Sequence, residues 1–318
     1  MRDAFLLREV PSWQCRTGSS LSSARLSSYI LMDVEMDSSP YIKQIEVTGL
    51  RGSQNIVWEL SHGVNILSGI NGSGKSTLLQ ALSVLLRDSG YRPNPVKPID
   101  RIRVTFDNGT VVDSADPASV GGRVCNVDIV STFDNKLKML EALQKLSDDR
   151  VRSDLDWQLY VACERFIRYQ LRIGKQALDI MMNGGDSQSV REMMKGKERF
   201  FDIVDSLLGQ SGKRIVRGSD EISFTFGHTT LSAYQLSSGE KQLIIILTTV
   251  LTQDFKPYVL IMDEPEISLH FDWQKKLIGS IMSLNPNVQL IVSTHSPAMI
   301  MEGWIDRVSD MEDLIVAE

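Results

Sequence analysis

The sequence predicts an α/β fold, with a mostly parallel sheet built around a phosphate-binding loop, an antiparallel β subdomain and a helical insert. Three observations predict it. The apolar run Val64-Asn65-Ile66-Leu67 leads into Gly69-Ile70-Asn71-Gly72-Ser73-Gly74-Lys75-Ser76-Thr77, and the helical pattern Leu78, Leu79, Leu82, Leu85, Leu86 follows at once. A second apolar run, Tyr258-Val259-Leu260-Ile261-Met262, ends on the paired acids Asp263-Glu264. Strands alternate with helices over the last third of the chain, the pattern of a parallel sheet whose ligand sits at the carboxyl ends of its strands.

In chain order, residues 1–38 are serine-rich and lack sustained periodicity, so they read as a disordered extension, or as an upstream start with Met32 or Met36 as the natural one. The folded part is expected to begin near Tyr41, where Ile45 and Val47 share one strand face. Strands over 55–60 and 64–67 precede the glycine-rich loop. Past the first helix, Gly90-Tyr91-Arg92-Pro93-Asn94-Pro95 breaks the pattern, and residues 101–112 read as a hairpin turning at Asn108-Gly109. One more strand, over 124–130, closes an N-terminal part spanning 39–133.

Residues 134–218 change to helical periodicity and form the predicted insert. Leu155, Leu159, Ala162, Phe166, Tyr169 and Ile173 make one apolar face, while Arg165, Arg168 and Arg172 cluster on another. The insert carries a surplus of basic residues although the whole chain has a formal charge of −6, which favours it as the surface for any anionic partner, while the arginines themselves read first as a solvated helical face. A C-terminal part, 219–318, then supplies a strand over 221–226, a helix over 239–252, the acidic strand, a helix over 269–284 and a strand over 289–293.

Composition narrows the class. The chain has 318 residues and three cysteines, Cys15, Cys125 and Cys163, far apart and without zinc-ligand spacing, so reduced thiols and a cytoplasmic location are expected. No apolar stretch approaches the roughly 18–20 residues a spanning helix needs, so direct membrane insertion is not expected.

The motifs carry the chemistry. Glycines let successive backbone N–H groups turn inward around phosphate oxygens, and the helix start adds partial positive charge. Lys75 brings a full charge to the phosphates and Ser76 a hydroxyl for Mg²⁺. Asp263 is positioned to help hold that ion and Glu264 to polarise an attacking water. Leu236-Ser237-Ser238-Gly239-Glu240-Lys241-Gln242 opens a helix with small residues, a second anion-binding helix start. His295, after the 289–293 strand, stands where a γ-phosphate sensor is needed.

Together these motifs resemble the ATP-binding-cassette (ABC) ATPase superfamily, in its RecF, SMC and overcoming-lysogenization-defect (OLD) branch, over roughly residues 41–310. Residues 69–77 resemble the Walker A motif, 236–242 the signature, 260–264 the Walker B motif, 265–270 the D-loop region and 294–297 the switch histidine. Ser238 stands where glycine is commoner, and no glutamine loop can be placed between Val124 and Asp134. The resemblance implies a P-loop NTPase with an ABC-type head that binds and hydrolyses ATP with Mg²⁺. By the same resemblance Lys75, Glu264 and His295 are catalytic, Ser76 and Asp263 hold the metal, and Asn71, Gly72, Ser73, Gly74, Lys75, Ser76, Thr77 and Arg51 bind nucleotide. Ser237, Ser238 and Gly239 would complete the site of a second copy, in a homodimer closed by ATP. Such a dimer is expected to drive or gate a nucleic-acid-processing or phage-defence partner on a separate chain, because the stretch after His295 is too short for a nuclease domain. Nucleic acid is a possible further partner. The competing expectation is the nucleotide-binding subunit of a membrane transporter, which Ser296-Pro297 after the histidine disfavours.

Overall fold

The computed structural model describes residues 36, 38–86, 99–116, 119, 123–131 and 150–316. The strands β1 (Ile42–Leu50) and β2 (Gln54–Glu59) pair antiparallel. Val64–Ser68 is β3 and Lys75–Leu86 is α1; β4 (Arg101–Phe106) and β5 (Val111–Asp113) form the hairpin around Gly109, whose φ of +84° is a conformation that glycine adopts without a Cβ penalty. After β6 (Val127–Ser131) come α2 (Asp154–Met182) and α3 (Ser187–Leu208), then the short strands β7 (Lys213–Ile215), β8 (Ser223–Phe226) and β9 (Thr229–Ser232). The chain continues through α4 (Ser238–Thr252), β10 (Tyr258–Asp263), α5 (Phe271–Leu284), β11 (Val288–Ser293), α6 (Pro297–Met301), β12 (Val308–Asp310) and β13 (Ile315–Val316).

Three sheets result. One is antiparallel in the order β13-β2-β1-β4-β5, one is parallel in the order β12-β3-β11-β10-β6, and the third is the antiparallel set β7-β8-β9. The parallel sheet is the central layer, because successive side chains of a strand point to opposite faces and both faces here are apolar. Leu260, Met262, Leu290 and Val292 pack with α2, α3, α4 and α5, whereas Val259, Ile261 and Ile291 pack with α1 and the antiparallel sheet. Each of these seven side chains is at most 1% exposed and contributes about 1.5–3 kcal/mol of hydrophobic burial, which is why this strand set fixes the geometry of everything mounted on its ends.

The structure differs from the sequence reading in four places. The helical pattern of the insert stops at Leu208 rather than near 218, because Gly212 turns left-handed (φ +74°) and the chain enters β7. The strand expected from 124 starts at Val127, since Asn126 is engaged in side-chain bonds: its amide donates to the Met36 and Pro257 carbonyls and its Oδ1 accepts from the Met36 N–H. That same contact brings Met36 into the folded unit, inside the boundary expected at 38. The arginines on α2 are paired with acids, Arg165 and Arg172 across to other segments, while Arg168 stays largely exposed. Arg165 forms a two-pronged pair with Asp128 of β6, Arg172 lies 3.3 Å from Asp254, and Arg168 pairs within the helix with Glu164. The remaining sequence readings for 1–38, the break at 90–95, the first part of the insert (134–149) and the end of the stretch searched for a glutamine loop lie outside the described residues.

Candidate functional site

Parallel pairing brings the motifs together. Leu67 of β3 is in register with Ser293 of β11, and Ser293 with Asp263 of β10, so the three strands end in one row. The glycine-rich loop, the acidic pair and the Thr294-His295 turn leave that row side by side. In the loop, Gly69, Gly72 and Gly74 have φ of +144°, +80° and +106°. At Gly74 a Cβ would lie 2.9 Å from Leu50, and at Gly69 3.1 Å from Met311, so the loop is seated between the end of β1 and the segment after β12 with no room for side chains. The Lys75 ammonium, 3% exposed, folds back to donate to the Gly69 and Ile70 carbonyls (2.9 and 3.1 Å). Ser73 Oγ is buried with no hydrogen-bond partner, an orphan acceptor and donor inside the loop.

Asp263 is 8% exposed and its Oδ1 accepts from Ser293 Oγ and from Ser76 Oγ, the latter at 3.3 Å. Burial holds its carboxyl above the usual range, against the lowering effect of Ser293, Ser76 and Lys75, and the nearby Glu266 adds to the rise. Burial likewise lowers Lys75, while Glu264, Asp263, Asp310 and Glu266 favour its charged form. A buried cation thus faces several acids, a balance that an incoming anion and divalent cation together would complete. Ser76 and Asp263 present a hydroxyl and a carboxylate oxygen side by side, the hard oxygen donors that Mg²⁺ takes, so the residues fit that ion. Among the described residues no group of three His, Cys, Asp or Glu side chains could hold a metal unaided, and substrate phosphates would have to supply further donors.

Glu264 leaves the strand line by a left-handed turn (φ +45°), with its N–H donating to the carbonyl and hydroxyl of Ser293. The two acids therefore diverge through this backbone kink rather than by simple strand alternation. Glu264 Oε1 lies 3.4 Å from His295 Nε2. Glu266, read from sequence only as part of the D-loop region, is buried and accepts from Thr294 Oγ1 (2.5 Å) and the His295 N–H (2.9 Å).

Ser237, Ser238 and Gly239 are not part of this cluster. Ser237 caps α4 in a capping box with Glu240, leaving Ser237 and Ser238 exposed at the helix start, and Gly239 is packed so closely on the D-loop region that a Cβ would lie 2.1 Å from the Ser268 carbonyl oxygen. The next two residues tie this helix start to its surroundings: Glu240 accepts from Lys213 of β7 at 2.7 Å, and Lys241 donates to Asp156 of α2 at 2.7 Å. Arg51, exposed with φ +58°, immediately follows the Leu50 that seats the loop, which puts it beside Gly74 but in none of the side-chain contacts above.

Comparisons with known proteins give the chain's family. The family described as "AAA domain, putative AbiEii toxin, Type IV TA system" matches residues 140–301, over half of the chain. The chain belongs to this AAA-domain family. A second family, the AAA ATPase domain, matches residues 41–148, so the two matches run from the first strand to α6. The AAA domain is similar to the Septu protein PtuA of Bacillus thuringiensis, at 24% identity over 84% of this chain and 74% of that protein. It is also similar to the "Retron Vc95 probable ATPase" of Vibrio cholerae, at 30% identity over 26% of this chain, and it spans only 18% of that relative's length. Among solved structures, an Smc head bound to the C-terminal winged-helix domain of ScpA covers 83% of this chain and 92% of its own, with 18% identity and a TM-score of 0.48. Among the described residues, no helix of the AAA domain is long and apolar enough to cross a membrane.

Proposed function

We propose that this AAA domain is a Mg²⁺-dependent ATPase that works as a homodimer closed by ATP and gates a separate effector chain in phage defence. The observation that carries the reading is the row at the carboxyl ends of β3, β11 and β10, where Lys75, Ser76, Asp263, Glu264 and His295 meet while the signature residues stay outside it. In this reading Asn71, Gly72, Ser73, Gly74, Lys75, Ser76 and Thr77 wrap the phosphates, with Lys75 exchanging the loop carbonyls for phosphate oxygens, and Arg51 reaches the nucleotide from the end of β1. When bound, Mg²⁺ would neutralise phosphate charge and stabilise its growth at the leaving oxygen. Ser76 and Asp263 hold the ion, Glu264 accepts the proton of the attacking water, and His295 orients Glu264 and contacts the terminal phosphate.

Exposed Ser237 and Ser238 at a capped helix start support a role for the signature in a second copy, because exposed N–H groups and hydroxyls at that end of a helix suit an anion supplied from outside. Hydrolysis would then release the dimer, since ATP favours only the paired state. The division into a head (39–133 and 219–318) and an insert (134–218), the effector, a nucleic-acid target and a cytoplasmic location belong to the same proposal. Similarity to a Septu protein and a retron ATPase supports the defence context. Glu264→Gln tests it. The variant keeps the side chain's size but loses its basicity, so it should bind ATP, hydrolyse about 10²–10⁴-fold more slowly and accumulate as a dimer in light scattering. Asp263→Asn should instead weaken Mg²⁺-dependent binding. Parent-like turnover in Glu264→Gln would remove Glu264 as the base.

A further inference from the structure

Glu266 sits two residues beyond Glu264, where a sequence reading sees only another acid in a turn. It is 8% exposed and it joins the two loops that carry the paired side chains. Its Oε1 accepts from both Thr294 Oγ1 and the His295 N–H, while Ser296 N–H in turn donates to Thr294 Oγ1 at 2.9 Å. The backbone of Glu266 is also held: its carbonyl accepts from the Leu269 N–H (2.9 Å) and from Gln274 Nε2 (3.3 Å). Gln274 Oε1 closes the ring by accepting from Ser296 Oγ at 2.6 Å. The loop after β10 and the loop after β11 are therefore stitched twice, once through Glu266 Oε1 and once through Gln274. The 3.4 Å approach of His295 Nε2 to Glu264 Oε1 sits between the stitches.

The other oxygen, Oε2, is buried with no partner. Burying a carboxylate with one oxygen unsatisfied is costly, and a glutamine could accept the same two hydrogen bonds at lower desolvation cost. Besides the charge it sets near Asp263 and Lys75, Glu266 delivers to the Thr294-His295 turn one acceptor atom at a fixed reach. We propose that Glu266 is a positioning residue, whose Oε1 fixes the backbone at Thr294 and His295 so that the imidazole meets Glu264. The proposal rests on the ATPase reading only for its kinetic consequence, because the geometry it assigns is made by this chain's own side chains.

The test uses two readouts. The chain has four histidines, His62, His228, His270 and His295, so with ¹³C-labelled histidine the His295 ring signals are assigned by their loss in His295→Ala. In full-length nucleotide-free protein, Glu266→Ala and the shorter Glu266→Asp should both shift the His295 signals and leave the other three unchanged. Glu266→Gln should return the signals toward the parent position. In turnover assays Glu266→Ala should lower kcat at least tenfold with little change in KM, the glutamine variant should recover most of that loss, and adding Glu266→Ala to His295→Ala should slow the enzyme no further. Unchanged His295 signals in both shortened variants would overturn the proposal. So would a glutamine variant as impaired as aspartate, because the charge, and not only the reach of an acceptor, would then be needed. If Glu266→Ala does not fold, the aspartate and glutamine pair decides alone. Should the parent show no ATP hydrolysis while the spectra behave as expected, the ATPase reading fails and the positioning role stands.

Discussion

Lys241 and Asp156 offer the sharpest energetic test of how the signature helix is joined to the insert. Their side chains are 15% and 9% exposed and form an ion pair of 2.7 Å, with Asp156 Oδ2 also accepting from the Arg152 N–H at 3.1 Å. Burial alone would raise the Asp156 carboxyl, but the bonds from Lys241, Arg152 and Ser153 more than offset it, and the folded-state value lies below the usual one. A lowered value stabilises the fold above the unfolded carboxylate range, near pH 4, and that stabilisation is lost as pH falls through the folded-state value. Lys241→Met keeps the aliphatic stem and removes the largest offsetting bond, leaving a buried carboxylate whose value should rise above the unfolded one. The sign then reverses, and the variant is penalised at neutral pH and relieved as acid protonates Asp156. Removing one partner of a buried pair costs about 3–5 kcal/mol; residual exposure puts this pair near 3. At about 2–4 °C per kcal/mol for large domains, Tm at pH 7.5 should fall by roughly 6–12 °C, and by less at pH 5. Circular dichroism melts at both values measure this, and Lys241→Met with Asp156→Leu should recover most of the loss because no charge is stranded. A neutral-pH melt within about 1 °C of the parent, or a deficit that grows toward pH 5, would refute the reasoning.

Two further outcomes follow from the site. Lys75→Ala removes charge-assisted bonds worth about 1.5–3 kcal/mol each, so ATP affinity in a calorimetric titration should weaken about tenfold to a hundredfold, and unchanged affinity would sink the assignment of the loop. Ser238→Arg places a long cation at an exposed helix start, so it should leave the fold and nucleotide binding intact while abolishing ATP-dependent pairing; equal dimer formation by variant and parent in light scattering would end the case for a signature acting across two copies.

The parts of the fold that read directly from sequence are those decided within a few residues. The glycine-rich loop with its helix, the buried runs ending at Asp263 and Ser293, and the Asn108-Gly109 hairpin all follow from local spacing, and the structure has them at nearly the expected bounds. The meeting of Glu264 with His295 was legible only as motif order, because it depends on β11 lying between β3 and β10, and strand neighbours are chosen by packing across hundreds of residues. β12 and β13 escaped because two- and three-residue strands carry no periodicity to detect.

Partners of charged residues escape the sequence for a related reason. A run such as Arg165, Arg168 and Arg172 looks like a basic face until its acids are found, and those acids, Asp128 and Asp254, lie on β6 and just past α4. The same holds at the signature, where Glu240 and Lys241 belong to a stretch that reads as the opening of a helix. In the fold they are consecutive side chains gripping two different pieces of the segment between β6 and α4, with Glu240 on Lys213 and Lys241 on Asp156. Two ion pairs on adjacent residues therefore tie the helix start to the insert. That route from the signature to the insert needs no glutamine loop. The sequence lacks a motif for it because ion pairs between distant segments leave no local pattern.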